Sequence, residues 1–97
     1  MLIADINQKI RNKLEELEKS IEEMHFKFYG YYHGEETSLP NWEELERELL
    51  SFSQRTIYDY QLSKNLDRVL FKFQNRKKIW LKWVEEVHHM GKKQKNS

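Results

Sequence analysis

Backbone breakers are nearly missing from this chain. It contains three glycines and one proline, and Gly30, Gly34 and Pro40 all fall within the eleven residues 30–40, leaving only Gly91 elsewhere. A chain punctuated in one place reads as long helices on either side of the break. The expected fold class is all-α: an antiparallel helical bundle or helical hairpin of two to three long helices with coiled-coil-like seams.

The apolar pattern supplies those seams. Ile3, Ile6, Ile10, Leu14, Leu17, Ile21, Met24 and Phe28 follow one another in steps of three or four, which lines one face of a helix. Leu14, Ile21 and Phe28 share one heptad position, Ile3, Ile10, Leu17 and Met24 the other, and Glu15, Glu16, Glu18 and Lys19 flank them. This spacing predicts a helix over 2–29, stopped by Gly30, and a loop over 30–40. Asn41 then reads as an N-cap with Glu44 at the capping-box position. It opens a helix over 41–61 whose seam is Trp42, Leu45, Leu49 and Phe52.

Continued further, that seam meets Thr56, Asp59 and Ser63, three polar residues in succession. The preferred reading places a turn near 61–63 and a third helix over 63–90. The alternative is a single helix from Trp42 to about Met90. On a helical wheel Leu62, Leu66, Val69, Leu70, Phe73, Trp80, Leu81, Trp83, Val84 and Val87 gather into one arc, and Lys64, Arg68, Lys72, Arg76, Lys78 and Lys82 into the opposite one. Gly91 is expected to end this helix, and 91–97 to form a flexible basic tail. Residues 1–90 are thus expected to make a single helical domain, in keeping with 97 residues.

Composition removes several function classes. There is no cysteine, so disulfide frameworks, thiolate catalysis and Cys-ligated zinc are excluded. No apolar run nears the length of a membrane span, and no signal-peptide pattern occurs at the start. The expectation is a soluble, cytoplasmic protein without membrane association. No Ser-His-Asp spacing, phosphate loop or H-E-x-x-H motif appears, so the chain is not expected to be an enzyme or to hold a cofactor.

Charge is balanced in total, at +1, but segregated along the chain. Residues 1–34 carry five positive and six negative charges, 35–61 two and seven, and 62–97 ten and three. Arg68, Lys72 and Arg76 recur every four residues, with Lys64, Lys78 and Lys82 beside them and Phe71 among them. Such a stripe can neutralise phosphates, and an exposed Phe can stack on an unpaired base. It can equally be a solvated face, or pair with the carboxylates Glu43, Glu44, Glu46 and Glu48 of the second helix.

Two further constellations fall at one end of the expected bundle. His25, His33, His88 and His89 collect there, with Glu22–His25 and Glu85–His88 in the i, i+3 spacing that bundle metal sites use. The seam positions are taken by Ile21, Met24 and Phe28, which leaves Glu22 and His25 at the margin, so no metal site is expected. Tyr29, Tyr31 and Tyr32 beside two glycines either cap the bundle or present a partner-binding patch. Trp80 and Trp83 on the apolar arc read as core or subunit interface. Lys77 in that arc either snorkels to solvent or meets a carboxylate.

The expected function is that of a small, non-catalytic helical protein–protein interaction module that self-associates, as a homodimer or with a protein partner, through Tyr29, Tyr31, Tyr32, Trp80 and Trp83. The alternative is an accessory nucleic-acid-binding subunit using Lys64, Arg68, Phe71, Lys72, Arg76, Lys78 and Lys82.

Overall fold

The computed structural model describes residues 3–96, with side chains through 89. Among these the chain forms three helices and no strand: α1 (Ile3–Tyr32), α2 (Trp42–Ser53) and α3 (Tyr60–Asn96). The all-α expectation holds. The helix boundaries differ from the sequence reading at four places, each for a local reason.

Helix α1 runs through Gly30 and ends two residues later. The end is a Schellman arrangement, in which the Glu35 N–H donates to the Gly30 carbonyl at 2.8 Å and the Gly34 N–H to the Tyr31 carbonyl at 3.2 Å. The left-handed residue this requires is Gly34, at φ 78°. Gly30 is instead buried inside the helix, where the returning chain crosses it. A Cβ there would meet Glu36 Cγ at 3.2 Å. Tyr29, Tyr31 and Tyr32 therefore belong to the last turn of α1 and not to a loop.

Helix α2 begins as expected. The Asn41 side chain accepts the Glu44 N–H at 3.4 Å. It closes at Ser53, however, with Gln54 and Arg55 N–H groups turning onto the Ser51 and Phe52 carbonyls, well short of residue 61. The break before α3 lies at 54–59, not at 61–63, and it removes the single-helix alternative. Asp59 makes the new start: its Oδ1 accepts the Leu62 N–H at 3.0 Å, and its carbonyl accepts the Ser63 N–H at 2.9 Å. Asp59→Ala is expected to lower stability by about 0.5–2 kcal/mol. Asp59→Asn, which keeps the acceptor, should recover most of this in urea melts. At the other end α3 continues through Gly91 to Asn96, so that glycine does not stop it. Side chains of the expected basic tail lie outside the described residues, as does Ser97.

The three seams meet in one core. Leu17, Ile21, Phe28, Leu49, Leu62, Val69, Phe73 and Trp80 are almost wholly buried, with Ile10, Leu14, Leu45, Phe52 and Leu66 around them. Met24, Trp42, Ile57, Leu70, Trp83 and Val84 pack against this set. Leu81, placed on the apolar arc by the wheel, is 44% exposed. Fully burying such side chains is worth about 1.5–3 kcal/mol each, whereas an exposed ion pair is worth about 0–1. The seams therefore decide the fold, and the charges decide how the helices line up.

Up-down-up connection makes α1 and α3 parallel, and their pairing is the main contact of the bundle. Its register is regular: Asn7 bonds Asp59, Glu18 bonds Lys72, Glu22 bonds Arg76, His25 bonds Trp80 and Tyr32 bonds Glu86. The short α2 covers only the middle of this pair. At the top, α3 passes the end of α1 from residue 87 onward, which at 1.5 Å per residue adds roughly 15 Å. At the bottom α2 does not reach the first turn, and Ile3 is 75% exposed despite its place on the seam. The result is a rod of 65 × 18 × 17 Å. No helix among the described residues is long and apolar enough to cross a membrane.

Candidate functional site

The basic stripe of α3 divides into two sets. Lys72 Nζ lies 2.7 Å from Glu22 and 3.3 Å from Glu18, and an Arg76 amino group donates to Glu22 at 3.0 Å. All of these residues are only partly exposed. The hydrogen bond to Lys72 holds the Glu22 carboxyl below its usual value, and the same bond raises Lys72. Two of the cations expected to meet phosphate are thus engaged by α1 carboxylates within the chain. Lys77 resolves in the same way: its ammonium donates to Glu46 at 2.6 Å and sits 4.7 Å from the Trp42 ring centroid. Lys13 ties α1 to α2 through Glu48 at 2.6 Å.

The second set stays outward. Lys64, Arg68, Lys78 and Lys82 are exposed and form no ion pair among the described residues. Phe71 stands among them at 68% exposure. Their spacing of three, four or seven residues keeps them on the side of α3 opposite Leu62, Leu66, Phe73 and Trp80.

The histidine and aromatic residues at the top of the bundle do meet, but as packing. Trp80 is fully buried, stacks on Phe28 with centroids 4.9 Å apart and meets Phe73 edge-on at 5.8 Å. It is core, and so cannot be the partner contact the sequence suggested. Its indole N–H donates to His25 Nδ1 at 3.0 Å, which leaves the neutral His25 ring with its proton on Nε2. Burial, followed by the nearby Arg76 charge, lowers the pKa of His25. Trp83 is half-buried under Tyr32, with centroids 5.2 Å apart and nearly parallel. The Tyr32 hydroxyl donates to Glu86 at 2.8 Å, which raises its phenol above the ordinary value.

Of the partner-binding residues read from the sequence, Tyr32 and Trp83 therefore cap the bundle, Tyr31 is half-buried, and only Tyr29 stands out, at 49% exposed. The metal constellation is not assembled. Glu22 serves Lys72 and Arg76, His25 serves Trp80, and His33, Glu85 and His88 are exposed. Among the described residues no group of three His, Asp or Glu side chains could hold an ion.

Sequence reasoning missed Phe26. It lies off the seam of α1, opposite Leu17 and Ile21, and is 73% exposed on a face otherwise made of charged and polar side chains. Its position off the three–four spacing is the signal that could have found it. Compared with protein families, curated proteins and solved structures, the chain shows no significant match.

Proposed function

We propose that this chain is a non-catalytic helical interaction module that self-associates. The observation that carries the reading is Phe26 on the outer face of α1. The core closes without it, it stands 73% exposed, and large aromatic side chains are enriched among the residues that form interface cores. The parallel α1–α3 pair, clamped by Glu18, Glu22, Lys72 and Arg76, gives that face a rigid support. Light scattering across a concentration series is expected to show a dimer in equilibrium with monomer. Phe26→Glu should weaken the dimer at least tenfold without changing helicity. A wild-type chain that stays monomeric at millimolar concentration would end this reading.

A second reading is favoured by one observation, the unpaired cations around Phe71 on α3. That face would hold single-stranded nucleic acid by phosphate contact and base stacking. Replacing Lys78 and Lys82 with Glu and Phe71 with Ala is expected to abolish binding of a fluorescent oligonucleotide at low salt. Unchanged binding would eliminate this reading. Lys72 and Arg76, already engaged by carboxylates, should contribute much less than Lys78 and Lys82 when replaced singly by Gln.

A further inference from the structure

Between the end of α2 and the start of α3, the first turns of α1 lie beside the connector 54–59, and two adjoining hollows open there. One, of about 390 Å³, is lined by Ile6, Ile10 and Phe52 together with Lys9, Lys13 and Arg55. The other, of about 280 Å³, continues it past Ile10 and Ile6 to Ile3 and Tyr58. The three isoleucines are seam positions of α1, yet Ile3 and Ile6 are 75% and 43% exposed, and Tyr58 is 93% exposed. The seam runs out of partners before it runs out of apolar residues. It leaves a furrow of roughly 15 Å from Ile3 to Lys13.

The charges around this furrow are unequal. Lys9 and Arg55 are exposed and form no ion pair among the described residues, and the Arg55 guanidinium stands 5.4 Å from the centroid of the Phe52 ring. Lys13 is answered by Glu48 at 2.6 Å and Glu16 at 4.0 Å. Asp59, the carboxylate in the lining, accepts the Leu62 N–H and the Asn7 amide. Asp5 stands one turn before Lys9, outside the lining, and offsets part of its charge. What remains is an apolar furrow with free cations gathered toward one end.

From this pairing of an apolar row with a cationic rim we infer that the furrow binds a free single-chain carboxylate. Its head group lies at Lys9 and Arg55, and its alkyl chain runs along Ile10, Ile6 and Ile3 toward Tyr58. Size decides for a small amphiphile over a protein segment. Eleven residues line the two hollows, against about 20–30 on each side of a stable protein interface. The larger hollow alone falls within the roughly 300–1,000 Å³ of small-molecule sites. Charge decides the head group, since a neutral or cationic one would leave Lys9 and Arg55 unanswered. A furrow of roughly 15 Å matches an extended chain of about twelve carbons. Phe26 follows the residue that bonds Trp80, in the other half of the rod, so this site does not depend on self-association.

The test is calorimetric titration of the full chain with dodecanoate and with dodecyltrimethylammonium, which share a chain and differ in the charge of the head. Dodecanoate is expected to bind once per chain and at least tenfold tighter than the cation. Octanoate, four methylenes shorter, should bind at least tenfold more weakly than dodecanoate, since a methylene buried even by half is worth about a factor of two. Lys9→Glu/Arg55→Glu and, separately, Ile6→Glu should each weaken dodecanoate at least tenfold with helicity unchanged by circular dichroism. Phe26→Glu should leave it as it is, so failure here and failure of self-association read separately. Equal binding of the two head groups, or no saturable binding of dodecanoate, overturns the proposal. Dodecanoate binding indifferent to both variants overturns it as well. Association with phosphatidylglycerol vesicles in place of dodecanoate binding would give the furrow to a membrane surface, and a dimer lost in Ile6→Glu would give it to a second copy; either overturns this assignment.

Discussion

Trp80→Ala is expected to lower the unfolding free energy by about 3–5 kcal/mol. The ring is fully buried, stacked on Phe28 and edge-on to Phe73. Little can collapse into the space it leaves. Small domains are stable by about 5–15 kcal/mol in all, so this one change would remove about a fifth or more of the total. At about 4–8 °C per kcal/mol for a chain of this size, the melting midpoint should fall by at least ~12 °C. Trp80→Phe keeps most of the stacked area and loses the indole N–H, so it should be the milder variant. Equal losses from the two, in thermal melts followed by circular dichroism, would show that the hydrogen bond and not the packing holds this end.

The second large effect concerns the acceptor of that hydrogen bond. His25→Leu leaves the buried Trp80 N–H without a partner, which costs about 1–3 kcal/mol. The wild-type ring also makes the fold acid-sensitive. His25 is faced by Trp80, Trp83, Arg76 and Glu22, and its pKa lies below the ordinary 6.5, because burial and then the Arg76 charge disfavour the protonated ring. The unfolded chain therefore takes up the proton first. Stability from this group is complete above pH 6.5, and is lost progressively as the pH falls from there through the lower folded value. Glu22, held below its ordinary 4.5 by Lys72 and Arg76, adds a second loss in the same direction at more acidic pH. Urea unfolding at pH 7.5 and 5.5 should show the wild type weaker at the lower value. His25→Gln, which keeps an acceptor but no titration, should lose less than His25→Leu at pH 7.5 and have a flatter profile between the two.

The seams of α1 and α3 were legible in the sequence because a heptad pattern reports directly on which side is buried. The elements' ends were not. Two glycines four residues apart both look like helix stops. Only the path of the following chain decides that Gly34 takes the left-handed turn while Gly30 serves as a crossing point for Glu35 and Glu36. Asp59 read as a failed seam position because its role as an N-cap belongs to the next helix, not to the one being extended. The charge segregation was plain, but its meaning lay in register. Lys72 and Arg76 look like a phosphate stripe until the offset between α1 and α3 brings Glu18 and Glu22 beside them. Trp80 lay on the apolar arc, and its complete burial followed from Phe28 lying at the same level of the bundle. Phe26 was overlooked for the converse reason, since pattern reading follows residues that repeat and passes over the one that does not.

The parallel pairing of α1 with α3 bears on how the chain reaches its native state. The contacts that matter most, from Phe28 to Trp80 and from Glu22 to Arg76, join residues more than fifty positions apart. The sequence-adjacent hairpins run only through the twelve residues of α2. Relative to the roughly ten-residue loop of a helical hairpin, bringing such ends together adds about 1.4 kcal/mol of closure entropy, close to a factor of ten in rate. In this respect the chain is expected to fold more slowly than a bundle made only of local hairpins. The step expected to limit folding is the search of one long helix for the other, which stopped-flow refolding of variants in the α1–α3 contact and in α2 would test.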